Sequence, residues 1–160
     1  SCAALRFPET RLDAVRIGSA LIGALPAAVP VKLQSVSVCK ARVVDRKFLS
    51  RGDTTGYASV CKVKRDTEAI VVAMGYDTGF GYLKSPANLG PLNLALYLYR
   101  TVKACLHPPC VMYGNRRLPL VGRVGSQYSL FDATGVEIAP GEYVTAKANL
   151  LFPGQRRKFI

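Results

Sequence analysis

The chain has 160 residues, 49% of them hydrophobic, and a formal net charge of +12. That length closes one core plus an appendage, not two full domains. No apolar run reaches the ~20 residues that cross a bilayer, and charged residues from Arg6 to Asp13 stand where a signal peptide would be apolar, so a cytoplasmic protein with no membrane partner is expected.

In chain order, Ala14 to Ile17 reads as a short apolar strand end, Gly18-Ser19 as a turn, and Ala20 to Leu25 as a helical turn closed by Pro26. Ala27 to Pro30 is small and proline-flanked, as suits a connector, so residues 1–30 and 31–160 are expected as separate parts. From Val31 the pattern turns to strands: Leu33, Val36, Val38, Ala41, Val43 and Val44 alternate in part, up to Asp45-Arg46-Lys47. Further strands are predicted at Ala58–Lys64, Ala69–Gly75, Val111–Tyr113, Leu118–Val124, Tyr128–Asp132 and Tyr143–Ala148. Gly114-Asn115 is a hairpin turn signal.

One helix interrupts them. Leu92, Leu96, Tyr99 and Val102 fall on one face of Leu92–Leu106, with Arg100 and Lys103 toward water, and Pro108-Pro109 stops it. Its expected place is across a barrel mouth. The fold class predicted is mainly β: a compact antiparallel barrel with one helix, preceded by a strand-turn-helix segment. The terminal Phe159 and Ile160 suggest a docked tail.

Cys2, Cys39, Cys61, Cys105 and Cys110 are odd in number, scattered, and form no Cys-x-x-Cys pair, so buried reduced thiols and no metal site are expected. The single histidine, His107, precedes two prolines and reads as a loop residue, which removes a Ser-His-Asp triad. The net charge makes nucleic acid a partner to weigh. Yet the cations are spread, and the aromatics sit beside glycine turns or within the helix instead of alternating with basic residues as a stacking platform does. A basic barrel that binds RNA is therefore the alternative, not the main reading.

Five features stand in a telling order: Ser1 with Ala3-Ala4 and Phe7-Pro8; Asp13-Ala-Val-Arg16-x-Gly18-x-Ala20-Leu21-x-Gly23; a valine-rich strand; Gly75-Tyr-Asp-x-Gly79; and Leu120-Val-Gly-Arg-Val-Gly125. This order resembles the alanine racemase family across nearly the whole chain. The resemblance implies a C-terminal portion: residues 1–30 as the end of a (β/α)8 barrel that holds pyridoxal phosphate on a lysine, and residues 31–160 as the C-terminal β domain. In that family the β domain of one subunit closes the other's site in a homodimer. It also implies a cytoplasmic enzyme that interconverts L- and D-amino acids, feeding D-alanine to peptidoglycan precursors. The lysine is expected in sequence the chain lacks, so the chain alone is expected to be inactive, with apolar surface exposed where the barrel would continue.

Residue by residue, the resemblance assigns cofactor phosphate to Ser1 and to the turn at Gly18 and Ser19, where amide donors and a helix dipole suit an anion. Arg16 is implied to face the pyridine nitrogen, where a permanent cation keeps that nitrogen unprotonated and favours racemisation over transamination. Tyr57 matches the catalytic tyrosine. Racemisation needs an acid and a base on opposite faces of one carbon, and a phenol whose pKa falls from ~10 can serve on one of them. Tyr76, nineteen positions on, matches a residue lining the substrate region, while its place beside a glycine-rich loop equally suits a structural pin.

Ser126 stands where the family commonly has methionine, its backbone N–H facing the substrate carboxylate, and Gln127 where it has aspartate or another polar residue. Serine keeps that donor and leaves room for a side chain larger than alanine's. Phe159 replaces a tyrosine of the family's C-terminus, which also leaves open a noncatalytic racemase homologue.

Overall fold

The computed structural model describes residues 2–23, 31–34, 38–56, 59, 61–81 and 90–146, with Ser19 and Ile22 described for their backbone only. The chain divides into two units, Ser1–Val38 and Cys39–Ile160.

In the first unit, helix α1 (Cys2–Arg6) and a 3-10 turn (Pro8–Arg11) precede a second 3-10 turn, Ser19–Ile22. The Arg11 Nε donates to the Ala4 carbonyl at 2.9 Å, tying the first two elements. Residues 14–17, predicted to end a strand, form no regular element, and no described strand lies beside them to complete a ladder. A single 3-10 turn replaces the predicted helical turn over the described residues.

The second unit is a closed barrel. Strands β1 (Cys39–Leu49), β4 (Thr67–Val72), β5 (Cys110–Tyr113), β6 (Arg116–Val121), β7 (Ser129–Asp132) and β8 (Tyr143–Ala146) run in the order β1-β4-β7-β6-β5-β8, every pair antiparallel. Two short strands, β2 (Thr54–Thr55) and β3 (Cys61–Lys62), form a separate hairpin between β1 and β4. The predicted strands all appear, with β4 (Thr67–Val72) and β6 (Arg116–Val121) two to three residues earlier than the expected Ala69–Gly75 and Leu118–Val124, and with three larger differences. β1 begins at Cys39 instead of Val31, the strand expected over Ala58–Lys64 is only Cys61–Lys62 among the described residues, and β2 was not foreseen. Residues 147 and 148 lie outside the described set.

Closure depends on β1. Its first half pairs with β8 from Cys39↔Ala146 to Arg42↔Tyr143, and its second half pairs with β4 up to Leu49↔Thr67. The register slips between Val43 and Asp45. An extra residue there bends the strand and raises its twist, so one strand serves both neighbours. Beside the bulge, Val43 N–H donates to the Glu142 carbonyl and the Val43 carbonyl accepts from Gly141 N–H, both at 2.8 Å.

Inward-facing Val43, Ile70, Val72, Val111, Phe131 and Val144 are fully buried, and Phe80 meets Phe131 edge-on with ring centroids 5.8 Å apart. All five cysteines are free thiols, but none is buried: four are half-buried and Cys105 is exposed. Among the described residues no helix is long and apolar enough to cross a membrane, and no cluster of metal-ligating side chains forms.

The helix departs furthest from expectation. α2 spans Pro91–Leu106 as predicted, but it buries no residue. Leu92, Leu96, Tyr99 and Val102, the stripe expected to pack inward, are 73%, 44%, 63% and 55% exposed. Asn93, Tyr97, Thr101 and Ala104 form the half-buried face instead. A stripe of leucines says that a helix has an apolar face, not what covers it.

Two carboxylates fasten the barrel's loops. Burial alone would raise Asp132, but hydrogen bonds from the Thr134 hydroxyl and N–H and from the Arg65 guanidinium hold it below the ordinary carboxylate range. Glu142 is also held low, by the Ala139 N–H and then the Tyr113 hydroxyl. A carboxylate whose folded pKa is depressed contributes stability that is complete above its unfolded pKa and disappears as pH falls through the folded value. Thermal denaturation is therefore expected to show Tm falling as pH drops below about 4, and the fall is expected to be shallower in Asp132→Asn.

Candidate functional site

Three segments marked by the sequence meet at two glycine-rich turns. Gly75–Gly79 follows β4 and folds into a 3-10 turn, Tyr76–Thr78, closed by Gly79 in the left-handed region at φ 76°. The Thr78 hydroxyl donates to the Gly75 carbonyl at 2.8 Å. Gly122–Tyr128 links β6 to β7. The two loops join through their main chains: Tyr76 N–H donates to the Gly125 carbonyl at 3.0 Å and Asp77 N–H to the Ser126 carbonyl at 3.1 Å. A side chain at Gly75 would fall on the Ser126 and Gly125 carbonyls, so glycine is required there for space. Below, the buried Ser129 hydroxyl donates to the Met74 carbonyl at 2.8 Å.

This join orients the substrate-binding candidates. A trans peptide points its C=O and N–H in opposite directions, and no described peptide is cis. With the Gly125 and Ser126 carbonyls turned toward Tyr76 and Asp77, the N–H groups of Ser126 and Gln127 point away from that loop. Both residues are exposed. Two successive amide donors on an open turn suit a carboxylate.

The third segment arrives from elsewhere in the barrel. The β1–β4 ladder runs from Val43↔Val72 to Leu49↔Thr67, and the β2–β3 hairpin leaves at the Leu49 end. It nevertheless reaches the Gly122 turn. A Cβ on Gly122, whose φ is +83°, would stand 2.7 Å from Thr55 Oγ1 and 3.7 Å from Cys61 Cβ. Thr55 and Cys61 are paired across the hairpin, and Tyr57 belongs to the segment between them. Tyr57 itself lies outside the described residues, as does Ser1.

Of the other candidates, Arg16 and Gly18 are exposed in the irregular stretch before Ser19–Ile22, and nothing stands within 4 Å of a Cβ built on Gly18. Of Ser19, the backbone begins that 3-10 turn. The Tyr76 ring is 46% exposed, so the main chain, not the ring, pins the loop. Sequence reasoning missed Thr55, whose hydroxyl is buried with no hydrogen-bond partner among the described residues, and also Gly75 and Gly125 as space-limited contacts. The spacing of glycines in Gly75–Gly79 and Gly122–Gly125 was the available signal.

The architecture is that of a small closed barrel whose loops, not its interior, carry the candidate chemistry. Residues 36–156 match the family described as alanine racemase, C-terminal domain, and the chain belongs to that family. It is 30% identical to an alanine racemase of Desulfosudis oleivorans over 100% of the chain and 36% of that protein. Its fold is like that of an alanine racemase of Clostridium difficile 630, with a TM-score of 0.65 at 19% identity over 94% of this chain and 36% of that one. It is also like a Bartonella henselae alanine racemase with covalently bound pyridoxal phosphate, with a TM-score of 0.57 at 24% identity over 86% of this chain and 33% of that one. The chain thus spans about a third of the length of these relatives.

Gly75→Ala is expected to force the two loops apart and cost about 1–3 kcal/mol, as overpacking of a tight contact does. Gly135→Ala, where φ is +71° but no atom lies within 4 Å of the added Cβ, measures for comparison the cost of left-handed backbone strain, which Gly75 in extended backbone at φ −161° does not incur. Urea denaturation of both variants measures the difference.

Proposed function

We propose that the chain is the C-terminal part of a pyridoxal-phosphate-dependent amino-acid racemase that works as a homodimer, and that Tyr57 moves a proton at the substrate Cα. What supports this reading is the convergence of the Tyr57-bearing hairpin and the Gly75–Gly79 loop on the Gly122–Tyr128 turn, in a barrel of the alanine racemase family.

The residues of the first unit fit the cofactor. Arg16 offers a permanent cationic donor for a ring nitrogen, and the missing side chain at Gly18 lets a phosphate approach the turn without meeting a Cβ. Ser1, Gly18 and Ser19 would hold that phosphate. When bound, the group supplies the electron sink that makes a Cα proton removable.

On the β domain, the Ser126 and Gln127 N–H groups hold the substrate carboxylate, which fixes the amino acid by its invariant part. Tyr57 gives or takes the proton on one face of Cα, and a lysine from the part of the relatives' length that this chain does not span serves the other face. Tyr76 lines the route to the site. The small Ser126 side chain leaves room beyond a methyl group, so the substrate class extends to amino acids larger than alanine, serine and basic ones included. D-Alanine for peptidoglycan precursors is the product such an enzyme supplies in the cytoplasm.

In the longer protein containing this chain, Tyr57→Phe is expected to lower racemisation by about 10²–10⁴-fold, the usual contribution of a positioned acid or base. Exchange of the alanine α-proton with solvent deuterium, followed by NMR for both enantiomers, reads it out. Wild-type exchange of both enantiomers in Tyr57→Phe overturns the assignment, whereas loss for one enantiomer with exchange retained for the other is what a base lost from a single face gives. Residues 1–160 alone are expected to show no turnover.

A further inference from the structure

The β2–β3 hairpin and the Gly122–Tyr128 turn meet where a hydroxyl fits against a glycine. Thr55 is 8% exposed, and its hydroxyl has no hydrogen-bond partner among the described residues. That hydroxyl takes the space a side chain at position 122 would need, since a Cβ on Gly122 would stand 2.7 Å from Thr55 Oγ1. The next atoms, the Cβ of Thr55 and the Cβ of Cys61, are each 3.7 Å from that point, which is ordinary van der Waals contact. An unpaired buried hydroxyl costs about 1–3 kcal/mol, so stability does not account for a threonine here, and its place in the chain offers another account.

Thr55 precedes Tyr57 by two residues, which limits the separation of their Cα atoms to about 7 Å. Gly122 begins the turn that carries the Ser126 and Gln127 N–H groups. We infer that Thr55 and Gly122 are positioning residues, and that the fit of hydroxyl against glycine sets Tyr57 relative to those two amides. The inference rests on the reading of Tyr57 as the group that moves the Cα proton.

The two sides of the contact are held unequally. The turn is tied to the Gly75–Gly79 loop through the Tyr76 and Asp77 N–H groups, and the Ser129 hydroxyl fastens the strand end below it. The hairpin is fastened at its base, where Gly52 N–H donates to the Val63 carbonyl at 2.9 Å, Val63 N–H to the Asp53 carbonyl at 2.8 Å and Arg51 N–H to Asp66 Oδ1 at 2.8 Å. Among the described residues no hydrogen bond joins the hairpin to the turn, and threonine, stiff at χ1, has little freedom to turn aside. A methyl group at position 122 therefore displaces the hairpin and leaves the turn in place. Carboxylate binding by the amides is retained, whereas misplacing a reacting group by about 1 Å costs on the order of 10²-fold. Pruning the threonine relieves the clash: with Oγ1 gone in Thr55→Ala, the methyl group of Gly122→Ala meets the two Cβ atoms at 3.7 Å.

The test uses the longer protein containing this chain and follows exchange of the alanine α-proton with solvent deuterium for each enantiomer. Tyr57→Phe identifies the enantiomer that depends on Tyr57. Gly122→Ala is expected to lower the saturated exchange rate of that enantiomer by about 10²-fold, with KM and the exchange of the other enantiomer unchanged. Adding Thr55→Ala is expected to return the rate to within about threefold of wild type, the signature of two coupled residues. Gly135→Ala, also at positive φ but with nothing within 4 Å of the added Cβ, is expected to exchange as wild type, which separates displacement from backbone strain. Thr55→Ala alone opens a gap instead of a clash and keeps the test readable if Gly122→Ala fails to fold by circular dichroism; its expected loss is about tenfold, for the same enantiomer. Equal losses for both enantiomers, a raised KM without a loss of rate, the same loss in Gly135→Ala, or no recovery in the double variant overturns the inference while Tyr57→Phe remains selective. Wild-type exchange of both enantiomers in Tyr57→Phe overturns the reading of Tyr57, and the inference with it.

Discussion

The contact on which the candidate site depends is the one between two stretches of main chain, Gly75–Asp77 and Gly125–Ser126. Loops of this kind ordinarily keep their distance because side chains intervene. Here the missing Cβ at Gly75 lets them close until two N–H groups reach two carbonyls. The conformational freedom that glycine loses on folding opposes such an arrangement, and the two hydrogen bonds, with the Thr78 cap and the Ser129–Met74 bond below them, offset it. What results is a turn whose amide directions are set by covalent geometry instead of by mobile side chains.

The barrel makes that contact available. Because β1 bulges after Val43, one strand closes the sheet on both β8 and β4, and β4 then ends beside the start of β7. The loop leaving β4 and the loop entering β7 are therefore neighbours before either forms a hydrogen bond to the other. The hairpin comes from the far end of the β1–β4 ladder and is anchored on the way: Arg51 N–H donates to Asp66 Oδ1 and Ser50 N–H to Asp53 Oδ2, each at 2.8 Å. Its arrival at Gly122 is the less protected of the two contacts, since the Thr55 hydroxyl it buries there has no partner among the described residues. A buried hydroxyl left without a hydrogen bond costs about 1–3 kcal/mol, so this joint holds by shape and not by polar attraction.

Much of this was legible in the sequence, for identifiable reasons. Val111–Tyr113 and Leu118–Val124 around Gly114-Asn115 read as a hairpin because turn chemistry and alternation agree, and the structure pairs Tyr113 with Arg116 across that turn. Ala14–Ile17 was misread because apolar β-prone residues form a strand only where a ladder partner exists. The Leu92–Leu106 helix was correct in extent and wrong in orientation: its leucines were assigned to the interior, but the half-buried side is Asn93, Tyr97, Thr101 and Ala104. Of the site, the glycine motifs located the loops, yet nothing in their residue types showed that the 75–79 and 122–128 segments touch, which is a property of strand order. The cations were weighed as a nucleic-acid surface, and three of them are engaged on the barrel: Arg46 with Glu68, Lys47 with Asp45 and Arg65 with Asp132.

The division of labour within the 122–128 turn bears on substrate choice in the proposed site. Every amino acid presents the same carboxylate, and under the proposed function that group would be met by backbone N–H donors whose direction follows from the Gly75 contact, whatever side chain position 126 carries. The side chain at that position is therefore decoupled from carboxylate binding and free to shape the space beyond Cα. A bulky residue there restricts the pocket, and serine opens it while leaving the amide geometry unchanged. Replacing Ser126 by methionine consequently alters which side chains fit without moving the carboxylate, whereas adding a methyl group at Gly75, which belongs to neither substrate nor pocket wall, disturbs the donors for all substrates alike.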